Sequence, residues 1–260
     1  MTFFQALILG IVEGITEFLP ISSTGHMILV SAWLGIHENT FVQSFEIAIQ
    51  LGAIAAIVLR FIPRLSSLKQ LYQKVFVAFL PAAAVGFLVY PLLKQYLFGP
   101  IVVAVSLIVG GIVLLFVDTK NAKGDKKQSE QPHDLTEITY KQAVLIGCFQ
   151  SISIIPGVSR AAATIIGGLQ VGLSKRQAME FSFLLAIPTM AAATAYDMYK
   201  SAHSFSQNEV ALLLVGAIVA GIFAWFAVEW FVGVVEKQGF RYFGVYRIIL
   251  GIVSLLYFLR

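Results

Sequence analysis

Apolar and polar positions alternate along this chain in long blocks, ten apolar stretches in two sets of five. The first set runs roughly Phe3 to Leu19, Thr24 to Leu34, Phe41 to Phe61, Val75 to Leu93 and Leu97 to Val117. The second runs roughly Lys141 to Ile155, Ala161 to Val171, Gln177 to Tyr196, Val210 to Val232 and Phe243 to Leu259. Between them lies Asp118 to Tyr140, rich in Lys, Asp, Gln and Glu with Gly124 and Pro132, a composition that predicts an exposed linker. A helix needs about 20 residues to cross a hydrocarbon core about 30 Å thick. The second stretch of each set falls well short of that length. Each set therefore begins with two short arms, joined at Pro20-Ile21-Ser22-Ser23 and at Pro156-Gly157-Val158-Ser159. Both pairs read as re-entrant hairpins, because proline breaks a helix and irregular backbone at membrane depth survives only under protein or beside a wet cavity.

The two sets also match weakly in sequence. Gly10-Ile-Val-Glu13 resembles Gly147-Cys-Phe-Gln150, a proline follows each glycine at similar spacing, and Phe45-Glu46 resembles Met179-Glu180. This is the pattern of an internal duplication. One hairpin and three full spans per half give an odd number of crossings, so the second half is expected to be inverted, with the symmetry axis in the membrane plane. The expected fold is an all-α, polytopic helical bundle of two inverted repeats forming a single membrane domain over 1–260. The first repeat is 1–117, the polar cytoplasmic linker 118–140, and the second repeat 141–260.

Composition supports that reading. Of 260 residues, 58% are hydrophobic and 12% charged, and the mean hydropathy is +0.84. Too little polar surface remains to wrap a water-soluble globule, so lipid has to replace it. Thirteen of the eighteen basic residues fall on one side of the expected spans, and only Lys94, Lys200 and Arg260 on the other. By the positive-inside rule the crowded side is cytoplasmic, and both termini lie outside. The net charge of +4 and the pI near 9.1 do not signal nucleic acid, because no basic cluster with interleaved aromatics accompanies them. Cys148 is the only cysteine, which excludes an intramolecular disulfide and reads as a small apolar packing residue. Met1 to Leu19 has no basic flank and carries Glu13 and Glu17, so it is expected to remain in the mature chain.

Charged side chains inside a bilayer cost about 2.5 to 3.5 kcal/mol each, so they need a partner or a task. Here they concentrate in the hairpins. Glu13 and Glu17 are four apart and share one helix face with Gly10. Two close carboxylates in low dielectric call for a shared proton or a divalent metal. The stretch Ile21-Ser22-Ser23-Thr24-Gly25-His26 supplies three hydroxyls, a glycine that admits close approach, and an imidazole. Ser22 or Ser23 is a natural N-cap, and the free amides behind it form a site for phosphate. In the second hairpin, Pro156-Gly157-Val158-Ser159-Arg160 repeats the order of helix breaker, hydroxyl cap and positive first turn. Arg160 offers a planar fork suited to phosphate, or neutralises Glu13 or Glu17; the two roles are compatible. Gln50, Glu46 and Glu180 read as interhelical hydrogen-bonding residues, and Tyr196, Asp197, Glu229 and Arg247 as structural.

If the hairpins approach from opposite faces, two helix N-termini meet at the midplane with an anion between them. A diphosphate brings about −2 to −3, and the two glutamates and the arginine leave a sum of roughly −3 to −4. A bound Mg²⁺ or Ca²⁺ removes two units of that charge and polarises the phosphoryl group.

Glu13-Gly-Ile-Thr-Glu17-Phe-Leu-Pro-Ile-Ser-Ser-Thr-Gly-His26 and Pro156-Gly-Val-Ser-Arg160 resemble the two signatures of the bacterial undecaprenyl-diphosphatase, or bacitracin-resistance, family. The resemblance extends to the duplicated layout, the length and the stretch Phe45-Glu46 to Gly52. It implies an enzyme of the bacterial inner (plasma) membrane that removes the terminal phosphate of undecaprenyl diphosphate with a divalent cation. The loop-charge asymmetry places the expected active cleft on the outer, periplasmic side. By that resemblance Glu13 and Glu17 correspond to the acidic pair of metal binding and catalysis, Arg160 to the phosphate-binding arginine, and His26 to the motif histidine. Ser23, Thr24 and Ser159 correspond to hydroxyls around the diphosphate, and Ser22, Gly25 and Gly157 join them as expected substrate contacts. Either Ser23, assisted by His26 or Glu17, or a neutral His26 is the attacking group, with Ser23 preferred. The expected partners are the polyprenyl diphosphate lipid and membrane lipids, not nucleic acid, and a homodimer stays open. A polyprenyl-lipid transporter or scramblase is the competing reading, since inverted repeats with broken helices also build transporters. The phosphatidic-acid-type phosphatases fit less well, as their lysine-to-arginine-proline motif is missing from the chain.

Overall fold

The computed structural model of the protein describes residues 1–37, 39–65, 69–96, 99–121, 134–201 and 205–259. Most of the linker, 122–133 with Lys123, Lys126 and Lys127, and the terminal Arg260 lie outside the described residues. Among those described, the regular structure is helical throughout: α1 Phe3–Thr16, α2 Ser23–Trp33, α3 Thr40–Ala48, α4 Gln50–Leu65, α5 Lys69–Tyr96, α6 Pro100–Asn121, α7 Tyr140–Ser151, α8 Arg160–Gln170, α9 Lys175–Ser201, α10 Gln207–Gln238 and α11 Arg241–Phe258, with two short 3-10 turns at Leu135–Glu137 and Ile152–Ile154.

Among the described residues, six helical stretches are long and apolar enough to cross a membrane: Thr40–Phe61, Gln70–Val89, Pro100–Asp118, Lys175–Tyr199, Gln207–Gln238 and Arg241–Phe258. Three precede the linker and three follow it, as the hydrophobic pattern predicts. Side chains such as Phe87, Phe116 and Phe226 point outward, more than 60% exposed, which suits lipid rather than water. The remaining four helices are the short arms, of 14, 11, 12 and 11 residues.

Some elements depart from the sequence-based expectation. The stretch Phe41 to Phe61 is interrupted at Ile49, where the Gly52 amide bonds the Ile49 carbonyl three residues back at 3.0 Å, a tighter turn than an α-helix makes. The linker is not wholly exposed: Leu135 and Ile138 are buried, and Lys74 of α5 donates to the Thr136 carbonyl at 2.6 Å. Cys148 is exposed on α7 instead of packing inside. Helix α10 runs 32 residues, about 48 Å, beyond the apolar run that suggested it, because a helix continues through its polar ends once tilted or projecting from the bilayer.

Small residues set the helix contacts. Helix α1 packs on α10, α7 on α5, α10 on α4, α9 on α5 and on α4, and α6 lies along α11. Gly52 touches the α10 backbone, so an added Cβ would collide with the Ala217 carbonyl oxygen. Such close approach is how helices associate where lipid removes the hydrophobic drive. Gly52→Leu is therefore expected to lower the unfolding midpoint in detergent by about 5 °C or more. Gly233→Leu is the control, since an added Cβ there meets nothing within 4 Å; equal midpoints in thermal melts would refute the contact.

Hydrogen bonds and ion pairs gather the basic loops at one end of the bundle. Lys175 pairs with Asp118 at 3.8 Å, Asp118 accepts from the Phe240 amide at 3.0 Å, Arg176 reaches Glu236 at 3.3 Å, and Gln177 donates to the Asp134 carbonyl at 3.4 Å. At the centre, Phe18 meets Phe183 of α9 edge-on with ring centroids 5.7 Å apart, which seats the first hairpin against the second half.

Candidate active site

The two hairpin tips are built alike. Helix α1 closes at Glu17, whose amide still bonds Glu13 at 2.9 Å, and Leu19-Pro20-Ile21 turn the chain back. Ser22 then adopts φ 69°, ψ 89° and its hydroxyl accepts from the Gly25 amide at 3.3 Å, capping α2. In the second tip Ser159 adopts φ 73°, ψ 116° and accepts from the Ala162 amide at 3.1 Å, capping α8. These are the described non-glycine residues with positive φ. That conformation costs about 1 to 3 kcal/mol and is kept only where its surroundings impose it. The cap leaves Ser23 and Arg160 as the first residues of their helices, beside amides that have no intrahelical acceptor.

These two residues meet on one carboxylate. Arg160 Nη2 donates to Glu17 Oε1 at 2.9 Å, and the Ser23 hydroxyl donates to Glu17 Oε2. The guanidinium is also held by the Ser182 carbonyl at 3.0 Å and lies over the Phe18 ring, 5.5 Å from its centroid. Both partners of the ion pair are nearly enclosed, with side chains 11% and 6% exposed. Burying such a pair is repaid only when the remaining hydrogen-bonding capacity of the cluster around it is filled. Here it is not filled. Glu13 is wholly buried with neither carboxylate oxygen partnered, and Arg160 Nε is buried without an acceptor. Each such group costs about 1 to 3 kcal/mol. An acid and a guanidinium N–H left open in one cluster mark the place of an occupant that accepts from Arg160 and brings a proton or a cation to Glu13. Glu46 of α3 lies near Glu13 and also carries an unpartnered oxygen.

No group of three His, Cys, Asp or Glu side chains among the described residues converges to hold a metal. The open oxygens of Glu13, with Glu17 beside them, nevertheless fit a hard divalent cation, which takes oxygen ligands and completes its shell from substrate and water.

His26 is engaged at both nitrogens. Its Nδ1 lies 2.8 Å from the Ser22 carbonyl, which can only accept, so Nδ1 carries the proton. Its Nε2 lies 2.7 Å from the Tyr246 hydroxyl, and the two rings stack at 8°. A neutral His26 thus accepts from Tyr246 through the lone pair it would need to attack a phosphoryl group. Tyr246, on α11, escapes sequence reasoning because a tyrosine in an apolar helix carries no signal. The neighbouring Arg247 did carry one, a charge within a span, and the structure buries it completely against both tips.

The other expected contacts divide. Thr24 is exposed beside Ser23, while Gly25 packs against the Ser22 hydroxyl and Val103. Gly157 has φ +89°, and an added Cβ would lie 2.6 Å from the Val103 carbonyl oxygen, so the turn and its seat on α6 demand glycine there. Glu180 is bound by Arg176 at 3.1 Å, and Arg60 reaches Glu229 at 4.0 Å.

Comparison with known proteins gives a uniform answer. The family model described as bacitracin resistance protein BacA matches residues 6–253. An undecaprenyl-diphosphatase of Aquifex aeolicus is 49% identical over the whole of both chains. One of Bdellovibrio bacteriovorus is 47% identical over 98% of this chain and 96% of its own, and one of Wolinella succinogenes 49% identical over 99% and 98%.

Proposed function

We propose, from the premise that the chain belongs to the bacitracin resistance protein BacA family, that it is a membrane phosphatase converting undecaprenyl diphosphate to undecaprenyl phosphate and inorganic phosphate. Bacitracin resistance is consistent with that family. The observation that carries the site reading is Glu17, which receives Ser23 from its own hairpin and Arg160 from the other. A serine hydroxyl already donating to a carboxylate, beside a guanidinium and two amide-lined helix starts, is an arrangement for phosphoryl transfer.

In the reaction, Ser23 Oγ attacks the terminal phosphorus while its proton passes to Glu17 Oε2. The bond from that phosphorus to the bridging oxygen breaks, and undecaprenyl phosphate leaves with the oxygen and its electron pair. Water then attacks the phosphoserine; the P–Oγ bond breaks as Glu17 returns its proton to Ser23 Oγ, and the water's own protons leave with the inorganic phosphate. Arg160, through its unfilled Nε–H, neutralises charge on the transferred group. The amides at the starts of α2 and α8 line the same anion. His26, fixed between Ser22 and Tyr246, orders the first tip instead of attacking. Glu13 and Glu17 would hold Mg²⁺ or Ca²⁺, which supplies Lewis-acid polarisation of the phosphoryl group.

The proposed architecture is two inverted repeats, each a re-entrant hairpin and three spans. Matched packing of α1 on α10 and of α7 on α5, together with the twin left-handed serine caps, supports it. The basic end of the bundle belongs in the cytoplasm of a bacterial cell whose inner membrane holds the protein, with the cleft and both termini on the outer side.

The purified protein with undecaprenyl diphosphate is expected to release phosphate. Excess chelator should suppress the release by about 100-fold or more, and Mg²⁺ or Ca²⁺ should restore it. Full turnover in chelator would remove the metal from the scheme. Lipid flux in vesicles that survives Ser23→Ala, with no phosphate released by the wild type, would favour transport instead.

A further inference from the structure

Arg247 sits in the middle of α11 and is fully buried, yet none of its hydrogen-bond partners is an acid. Its five N–H groups go to five main-chain carbonyls. Nη1 donates to Pro20 and to Val158, each at 3.0 Å; Nη2 donates to Gly157 at 2.9 Å and Ser106 at 3.2 Å; Nε donates to Leu107 at 3.4 Å. Pro20 belongs to the first hairpin tip, Gly157 and Val158 to the second, and Ser106 and Leu107 to α6. A guanidinium has five donors in a rigid plane and here every one is used.

Enclosing a cation without a counter-ion is expensive, and uncharged carbonyls compensate for it only if they are held in a fixed arrangement. Three of the carbonyls, those of Pro20, Gly157 and Val158, lie in the non-helical tips, where a broken helix leaves them without helical partners, and the other two belong to α6. Their placement matters for the reaction. Val158 directly precedes Ser159 and Pro20 lies two residues before Ser22, the two left-handed caps, and in a trans peptide the amide points away from its carbonyl. Drawing the Val158 carbonyl onto Arg247 therefore turns the Ser159 amide to the opposite side, and fixing Pro20 fixes the turn that delivers Ser23 to Glu17.

We infer that Arg247 is a positioning residue that clamps the two hairpin tips in register, so that Ser23 and Arg160 reach Glu17 together. It touches no reacting atom, and its kinetic consequence rests on the hydrolytic reading given above. A misplacement of about 1 Å between tips is enough to cost about 100-fold in rate.

Two variants loosen the clamp by different routes. Arg247→Lys keeps the charge but has three donors for five carbonyls. Gly110→Ala leaves Arg247 in place, but its new Cβ collides with the guanidinium, the movable party, while favouring the α6 helix. In each, kcat on undecaprenyl diphosphate is expected to fall about 100-fold and KM to rise severalfold. Amide hydrogen exchange should accelerate in both tips, 17–23 and 155–161, in at least one variant that keeps the wild-type unfolding midpoint. Wild-type kcat with wild-type tip protection in either variant overturns the clamp. So does a lowered kcat with unchanged KM and tip exchange, the sign of a smaller folded fraction only. A wild-type protein without phosphatase activity would instead overturn the hydrolytic reading, and the tip exchange would still test the clamp.

Discussion

Ser23→Ala is expected to reduce phosphate release from undecaprenyl diphosphate by about 1,000-fold or more, and Glu17→Gln by a similar factor. The two are expected to cost no more together than either costs alone. The Ser23 hydroxyl donates to Glu17 Oε2, so in the proposed mechanism nucleophile and base act as one unit, and groups that act as a unit give non-additive losses. Glutamine preserves the shape of Glu17 and removes both its basicity and its charge. Initial rates of the two single variants and the double variant check this, with acid quenching of the wild type to trap phosphoserine. Losses that simply multiply, or a Ser23→Ala protein near wild-type rate, would assign the attack to another group.

Arg160→Lys comes next, with an expected loss of about 100- to 1,000-fold in kcat/KM. The guanidinium holds the Ser182 carbonyl and Glu17 Oε1 and, in the proposed mechanism, offers its open Nε–H to the substrate, and an ammonium cannot span these positions from one centre. Lysine is the informative substitution because it keeps Glu17 paired with a cation. Arg160→Ala would strand a buried carboxylate, which costs about 3 to 5 kcal/mol of stability and confounds the kinetics. Steady-state rates measured beside an unfolding midpoint separate the two effects. An Arg160→Lys enzyme within threefold of wild type would mean that Arg160 only neutralises Glu17.

Part of the site was legible along the chain. Helix breakers followed by hydroxyl and positive first turn marked both tips, and the cap at Ser159 is where that pattern put it. For the first tip the pattern left Ser22 and Ser23 as alternatives. The structure separates them by backbone: Ser22 takes the left-handed cap, and Ser23 is freed for Glu17. His26 was weighed as an attacking group, and its two nitrogens prove occupied by Ser22 and Tyr246. Arg247 drew notice only as a charge in an apolar helix, with no partner to be read from neighbours in sequence.

What the sequence determined by itself was local. Runs of apolar residues and prolines specify where helices run and break, because solvation and backbone sterics act residue by residue. Charges within those runs announce that a buried polar site exists. Only the tertiary structure decided which groups share it. The Arg160–Glu17 pair joins residues 143 apart, His26 and Tyr246 are 220 apart, and Arg247 holds Pro20 across 227. Hydrogen bonds form over about 3 Å, so such pairings depend on how packed helices bring distant segments together, a property that no stretch of sequence contains alone.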